Sequence, residues 1–154
     1  MSRPLVVKVT CGAEDPERCN QGFTVAATAL AVGAEVSLWL TGEAAWFGVP
    51  GRAEAFDLPL ATPLADLLEL VAQTGEVVVC SQCAARRSIT EDLLRPGVRI
   101  AGAAVFAEQV LRPDVQALVY CPPALLTPPP RPWSPLMPDA APDPDDDGSL
   151  SLFD

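Results

Sequence analysis

The apolar positions of this chain fall into two alternating rhythms: short unbroken runs, and longer stripes at helical spacing. Residues 5–10 (LVVKVT) form a valine-rich run ending at Cys11-Gly12, the pattern of a strand buried on both faces of a parallel sheet. A helix is predicted next. Asp15 stands where an N-cap belongs and Pro16 at the first helical position, and Phe23, Ala26, Ala27, Leu30 and Ala31 recur on one stripe until Gly33 stops it. Residues 34–40 (AEVSLWL) predict a second strand closed by Thr41-Gly42, and residues 43–60 read as a loop with Trp46 and Phe47 at a mobile tip. Thr62-Pro63 repeats the cap-then-proline signal before an apolar stripe of Leu64, Leu67, Leu68 and Val71.

Residues 76–80 (EVVVC) predict a third buried strand that stops at a cysteine. Beyond it the spacing gives a short helix over 82–87, and a second helical piece capped by Thr90 and running to Pro96-Gly97. A minimal strand at 98–100, a helix over 103–111 and a last strand at 115–120 (VQALVY) follow. Regular alternation of buried strands with helices gives an α/β fold: a parallel sheet of about five strands with helices on both faces, three layers in all.

Composition adds a boundary to that picture. Ten of the 17 prolines fall between Pro122 and Pro144, and residues 122–154 carry 6 of the 20 acidic residues against one cation, Arg131. That segment therefore holds half of the net charge of −10 in a fifth of the length. Residues 1–121 are expected to fold, and residues 122–154 to form an extended, mostly disordered Pro/Asp-rich tail. The acidic balance excludes the basic patch that nucleic-acid binding requires. No apolar stretch is long enough for a membrane span and no export signal opens the chain, so a cytoplasmic protein without a membrane partner is expected.

The chain contains no histidine. That removes the Ser-His and Cys-His nucleophile pairs, the HExxH zinc site and the imidazole general base, and leaves carboxylates, thiols, Tyr120 and Lys8, the single lysine, for proton chemistry. Five cysteines remain: Cys11, Cys19, Cys80, Cys83 and Cys121. In open α/β sheets reactive groups collect at the carboxyl ends of strands. The predicted elements bring Cys11, Cys19, Cys80 and Cys83 to that rim, from strands expected to be neighbours. Cys80 and Cys83 form a CxxC pair at a helix start, with Arg86 and Arg87 a turn or two further on. That setting lowers a thiol pKa and enlarges its thiolate fraction. Joined instead into one tetrahedral set, the four cysteines would hold zinc or an iron–sulfur cluster, although the spacing from Cys11 to Cys19 exceeds that of a usual knuckle. Cys121 reads as a packing residue at a strand end.

Three segments, GAEVSLWLTGEAA, VVVCSQCAARRSI and GVRIAGAAVFAEQVL, following a strand and a capped helix, together resemble the DsrE/DsrF-like (YchN-type, TusD-like) sulfur-relay family over residues 4–120. The resemblance implies a small flavodoxin-like domain assembled as a homotrimer or hexamer. Trp39, Trp46 and Phe47 are candidates for the subunit interface. It also implies sulfur carried as a persulfide on the cysteine ending the third strand, here Cys80, with Cys83 matching a second cysteine of CxxC-like members, and a sulfur donor or acceptor protein as partner. Ser88 stands where members often have glycine. Cys11 and Cys19 are outside the general motif, as is the tail.

The tail ends in Ser149-Leu150-Ser151-Leu152-Phe153-Asp154, an apolar plug on an acidic linker, the form of a peptide ligand. SLSLF resembles the pentapeptide by which bacterial proteins dock on the replicative sliding clamp, with Ser149 replacing the leading glutamine. Leu150, Leu152 and Phe153 are accordingly candidate docking residues. Two function classes stand from the sequence: a persulfide-carrying sulfur-relay protein, and a non-enzymatic cysteine–zinc or interaction module. Nothing resembling a Walker sequence supports a nucleotide binder.

Overall fold

A computed structural model describes residues 3–122. The chain divides into two units, Met1–Pro123 and Ala124–Asp154, and the architecture below is that of the first. The candidate docking residues Leu150, Leu152 and Phe153 lie outside the described residues.

Five strands, β1 (Leu5–Val9), β2 (Val36–Leu40), β3 (Glu76–Cys80), β4 (Val98–Ala101) and β5 (Gln116–Tyr120), form one sheet in the order β4-β3-β2-β1-β5. Every pairing is parallel, so all carboxyl ends share one rim. Because side chains alternate along each strand, the valine runs feed two cores at once. Val7, Val9, Leu38, Leu40, Val77 and Val79 pack with buried residues of the helices α1 (Pro16–Ala31) and α2 (Leu64–Thr74), and with Cys83 and Ala84 of α3 (Ser81–Arg86). The alternate positions Val6, Trp39, Val78 and Ala101 meet α4 (Ala103–Val110) through Val105, Phe106 and Val110. The α4 face is the more sparsely covered, and Val119 of β5 is left 57% exposed on it.

The expected helix starts need adjustment. Asp15 is the N-cap residue of α1, but its side chain makes no capping bond and instead pairs with Arg18 at 2.7 Å. Pro63 is the N-cap of α2 rather than its first residue, and the Thr62 carbonyl accepts from Asn20 Nδ2 at 3.0 Å. Gly33 ends α1 with φ +87, the left-handed geometry that glycine supplies without strain. The short piece after Thr90 is a single 3₁₀ turn, Glu91–Leu93, not a helix reaching Pro96.

The segment after β2 is a 3₁₀ helix, Gly42–Gly48, not a mobile tip. Phe47 is buried, with its ring edge-on to Phe23 at 5.8 Å and to Phe56 at 5.6 Å, and Arg52 covers half-buried Trp46 at 4.6 Å. Trp39 is also buried, edge-on to Phe106 at 5.2 Å, with its indole N–H donating to Gln109. The aromatic residues considered for a subunit interface are thus satisfied within the domain. No helix among the described residues is long and apolar enough to cross a membrane.

Candidate functional site

Parallel strands place Cys11, just beyond β1, and Cys80, the last residue of β3, at the same rim. Cys19 lies in the early turns of α1 and Cys83 in α3. The strands are not neighbours, however, because β2 lies between β1 and β3. The expected four-cysteine cluster is therefore replaced by two separate thiol pairs. Among the described residues no group of three or more Cys, Asp or Glu is placed to hold a metal ion, so the four cysteines are not gathered into one tetrathiolate set.

The Cys11–Cys19 pair is sealed. Both residues are 0% exposed, and the Cys11 thiol, 4.0 Å from the Tyr120 carbonyl oxygen, donates to it. Burial pushes both thiols up, Cys11 with further help from the Asp15 carboxylate and Cys19 from Cys11 itself, Glu14 and Asp15. A desolvated thiol facing negative charge keeps its proton and is a poor nucleophile.

The Cys80–Cys83 pair has the opposite surroundings. Cys80 is half-buried and is the N-cap residue of α3, with extended backbone at φ −61 and ψ 127. Burial alone would push its thiol up, but the backbone N–H and the thiol of Cys83, the backbone N–H of Gln82 and the positive charge of Lys8 outweigh it and hold the pKa below the ordinary value. Cys83 is buried beneath it, and its sulfur accepts the Gly42 backbone N–H at 3.2 Å. That donor is built in. Gly42 has φ +52, and a Cβ there would run into the Thr10 carbonyl oxygen, so the turn after β2 takes glycine alone.

Arg86 and Arg87, expected to lower the Cys80 pKa, are not among the main influences on that thiol. Arg87 is held by an ion pair to Glu43 and a bond to the Cys83 carbonyl at 3.3 Å, which fixes α3 against the turn after β2. Arg86 is exposed. The cation among the main influences on Cys80 is Lys8 of β1, a residue the sequence offers only as a lone lysine inside a valine run. Cys121 is exposed beyond β5 rather than packed. A groove of about 540 Å³ on the same rim is lined by Glu14, Glu43, Trp46, Phe47, Arg52 and Phe56 among others, and no cysteine lines it.

Comparison with known proteins agrees with this architecture. The chain is 28% identical over 113 residues, 73% of its length, to the uncharacterized protein MJ0760 of Methanocaldococcus jannaschii, and spans 41% of that relative. Its fold superposes on the crystal structure of the ychN protein from E. coli with a TM-score of 0.64 at 21% identity, covering 78% of this chain and all of that one. Residues 5–115 match the DsrE/DsrF-like family, and the chain belongs to that family.

Proposed function

We propose that the protein is a sulfur-relay carrier in which Cys80 takes up sulfane sulfur as a persulfide and Cys83 is its partner thiol. The single observation that carries this is the environment of Cys80: a strand-end thiol, open to solvent on one side, whose pKa is lowered by N–H donors and a cation. A thiolate is the form that attacks sulfur. In the uptake step the Cys80 thiolate attacks the outer sulfur of a donor persulfide. The new S–S bond forms as the donor's S–S bond breaks, and the donor leaves as a thiolate with the electron pair. No external oxidant or reductant is needed. For delivery, an acceptor thiolate attacks the outer sulfur on Cys80 in the same way. Alternatively Cys83 attacks the inner sulfur, forming the Cys80–Cys83 disulfide and releasing hydrosulfide.

The partners of such a carrier are a donor protein bearing a persulfide and an acceptor protein bearing a thiol, in a reducing compartment such as the cytoplasm. Family kinship extends the proposal to a homotrimer or hexamer, which light scattering coupled to size exclusion would measure. The chemistry is tested by mass spectrometry after incubation with a persulfide donor. The expected result is a gain of about 32 Da, one sulfur atom, on the peptide containing Cys80, absent in Cys80→Ser. No adduct on any cysteine would overturn the proposal.

A further inference from the structure

Lys8 is an unusual residue for its position. It lies in β1, one strand from the edge of the sheet, on a row that runs Val119, Lys8, Trp39, Val78 and Arg99 from β5 to β4. Its neighbours in the row on either side are apolar. Partial burial of an ammonium beside apolar neighbours favours a carboxylate partner, yet no ion pair among the described residues includes Lys8. Its ammonium instead stands 4.6 Å from the centre of the Phe106 ring on α4, a contact that holds a cation without neutralising it.

The placement of that ring is itself fixed. Phe106 packs edge-on against Trp39, the Trp39 indole N–H donates to Gln109 Oε1 at 2.7 Å, and Gln109 Nε2 donates to Glu76 at 2.8 Å. Cys80 is two residues beyond Val78 on β3 and is paired in register with Ala101 of the α4 face, so strand alternation brings it to the Lys8 side at the carboxyl rim, where it also packs against the larger core that holds Cys83. The other charges around this face are already engaged or remote. Glu76 is taken up by Arg99, Ser37 and Gln109, Glu43 by Arg87, and Glu108 of α4 and Arg86 of α3 are exposed. Cys83 is the titratable neighbour that hydrogen-bonds to Cys80.

We propose that Lys8 is the positioning cation of the sulfur-transfer site: held over Phe106 and left without a carboxylate, it serves as counter-charge first to the Cys80 thiolate and then to the terminal sulfur of the Cys80 persulfide. The second half depends on Cys80 carrying sulfur as proposed above. When the donor thiolate departs, the outer sulfur on Cys80 bears a proton, and loss of that proton to solvent leaves a persulfide anion. An unpaired ammonium favours this anionic form. Exposed Val119 leaves the β5 flank of Lys8 uncovered.

The test compares the full-length wild type with Lys8→Met, which keeps the chain length without the charge, and Lys8→Arg, which restores the charge. The readout is the pH dependence of alkylation at Cys80, resolved by peptide mass spectrometry, with persulfide loading measured in parallel. In Lys8→Met the midpoint should rise and the rate below the midpoint should fall about three- to tenfold, as for a pKa change of half to one unit, and Lys8→Arg should recover most of it. High salt should shrink the difference between wild type and Lys8→Met. An unchanged midpoint in Lys8→Met overturns the inference, and so does an equal rise in Lys8→Met and Lys8→Arg, which would report packing and not charge. Failure of the wild type to load sulfur while its alkylation midpoint still depends on Lys8 would refute the carrier function and the persulfide half, and leave Lys8 as counter-charge to the thiolate alone.

Discussion

Two pairs of cysteines occupy one rim of one sheet, and they differ in every property that governs thiol chemistry. Cys11 and Cys19 are shut away from water and face Glu14 and Asp15. Cys80 is half-open, with backbone N–H groups donating to it and the charge of Lys8 acting on it, and the Cys83 sulfur receives the Gly42 N–H. Position in the topology is shared, so it cannot be what makes a cysteine reactive. The difference comes from the next layer: which charges flank the sulfur, and whether backbone donors point at it. Cys11 and Cys19 fill core volume as small apolar residues, and Cys80 is the thiol equipped to be an anion.

The contrast can be broken most severely at Gly42. Gly42→Ala forces a side chain into left-handed backbone and against the Thr10 carbonyl, which should cost about 3 kcal/mol of stability in urea unfolding and disturb the donor to Cys83. Next come paired serine substitutions. Cys19→Ser buries a hydroxyl in the larger core and should cost about 2 kcal/mol, whereas Cys80→Ser, at a half-exposed strand end, should stay within about 0.5 kcal/mol of wild type while losing all sulfur uptake. Equal costs would mean that both pairs are structural.

A pH titration of stability sharpens the same comparison. Cys11 and Cys19 have folded pKa values above those of the unfolded chain, so their contribution is fully present below the ordinary thiol value and is lost as pH climbs past about 8.5. The shift at Cys80 is downward, so its contribution has the other sign: it is present above the unfolded value and lost as pH falls through the folded one. Thermal melts from pH 7 to 10 should show alkaline destabilisation that is smaller in Cys19→Ala than in wild type, and larger in Cys80→Ser. The smallest effect belongs to Asp15→Asn. It removes a carboxylate beside Cys11 and the partly exposed pair with Arg18, so unfolding should shift by less than about 1 kcal/mol, and the Cys11 thiol should come down while remaining above the ordinary value, because burial is the larger cause.

Much of the fold could be read from the chain because local signals and tertiary structure agree. The valine runs, Pro16, Gly33 and the Leu64–Val71 stripe each mark an element that forms where the pattern puts it, within a residue or two. Strand order was not legible, since nothing local states that β2 separates β1 from β3, and the single metal cluster fails for that reason. Trp46 and Phe47 misled because a stretch rich in Gly and Ala with a proline at its end resembles a loop, while its aromatic residues find partners, Phe23 and Phe56, from distant segments. At the site, the CxxC spacing revealed Cys80 and Cys83. Local spacing points to the nearby arginines and not to Lys8, which is 72 residues from Cys80 in sequence and is brought to the same sheet only by the fold.

The most direct test of a division between one reactive and one inert thiol pair is peptide-resolved alkylation of the native protein at pH 7, before and after exposure to a persulfide donor. The account predicts that Cys80 reacts at least about a hundredfold faster than Cys11 or Cys19, and that donor treatment converts the Cys80 adduct to one bearing an additional sulfur while the other two stay unmodified. Reaction of Cys11 or Cys19 as fast as Cys80, or sulfur on either of them in place of Cys80, would contradict it.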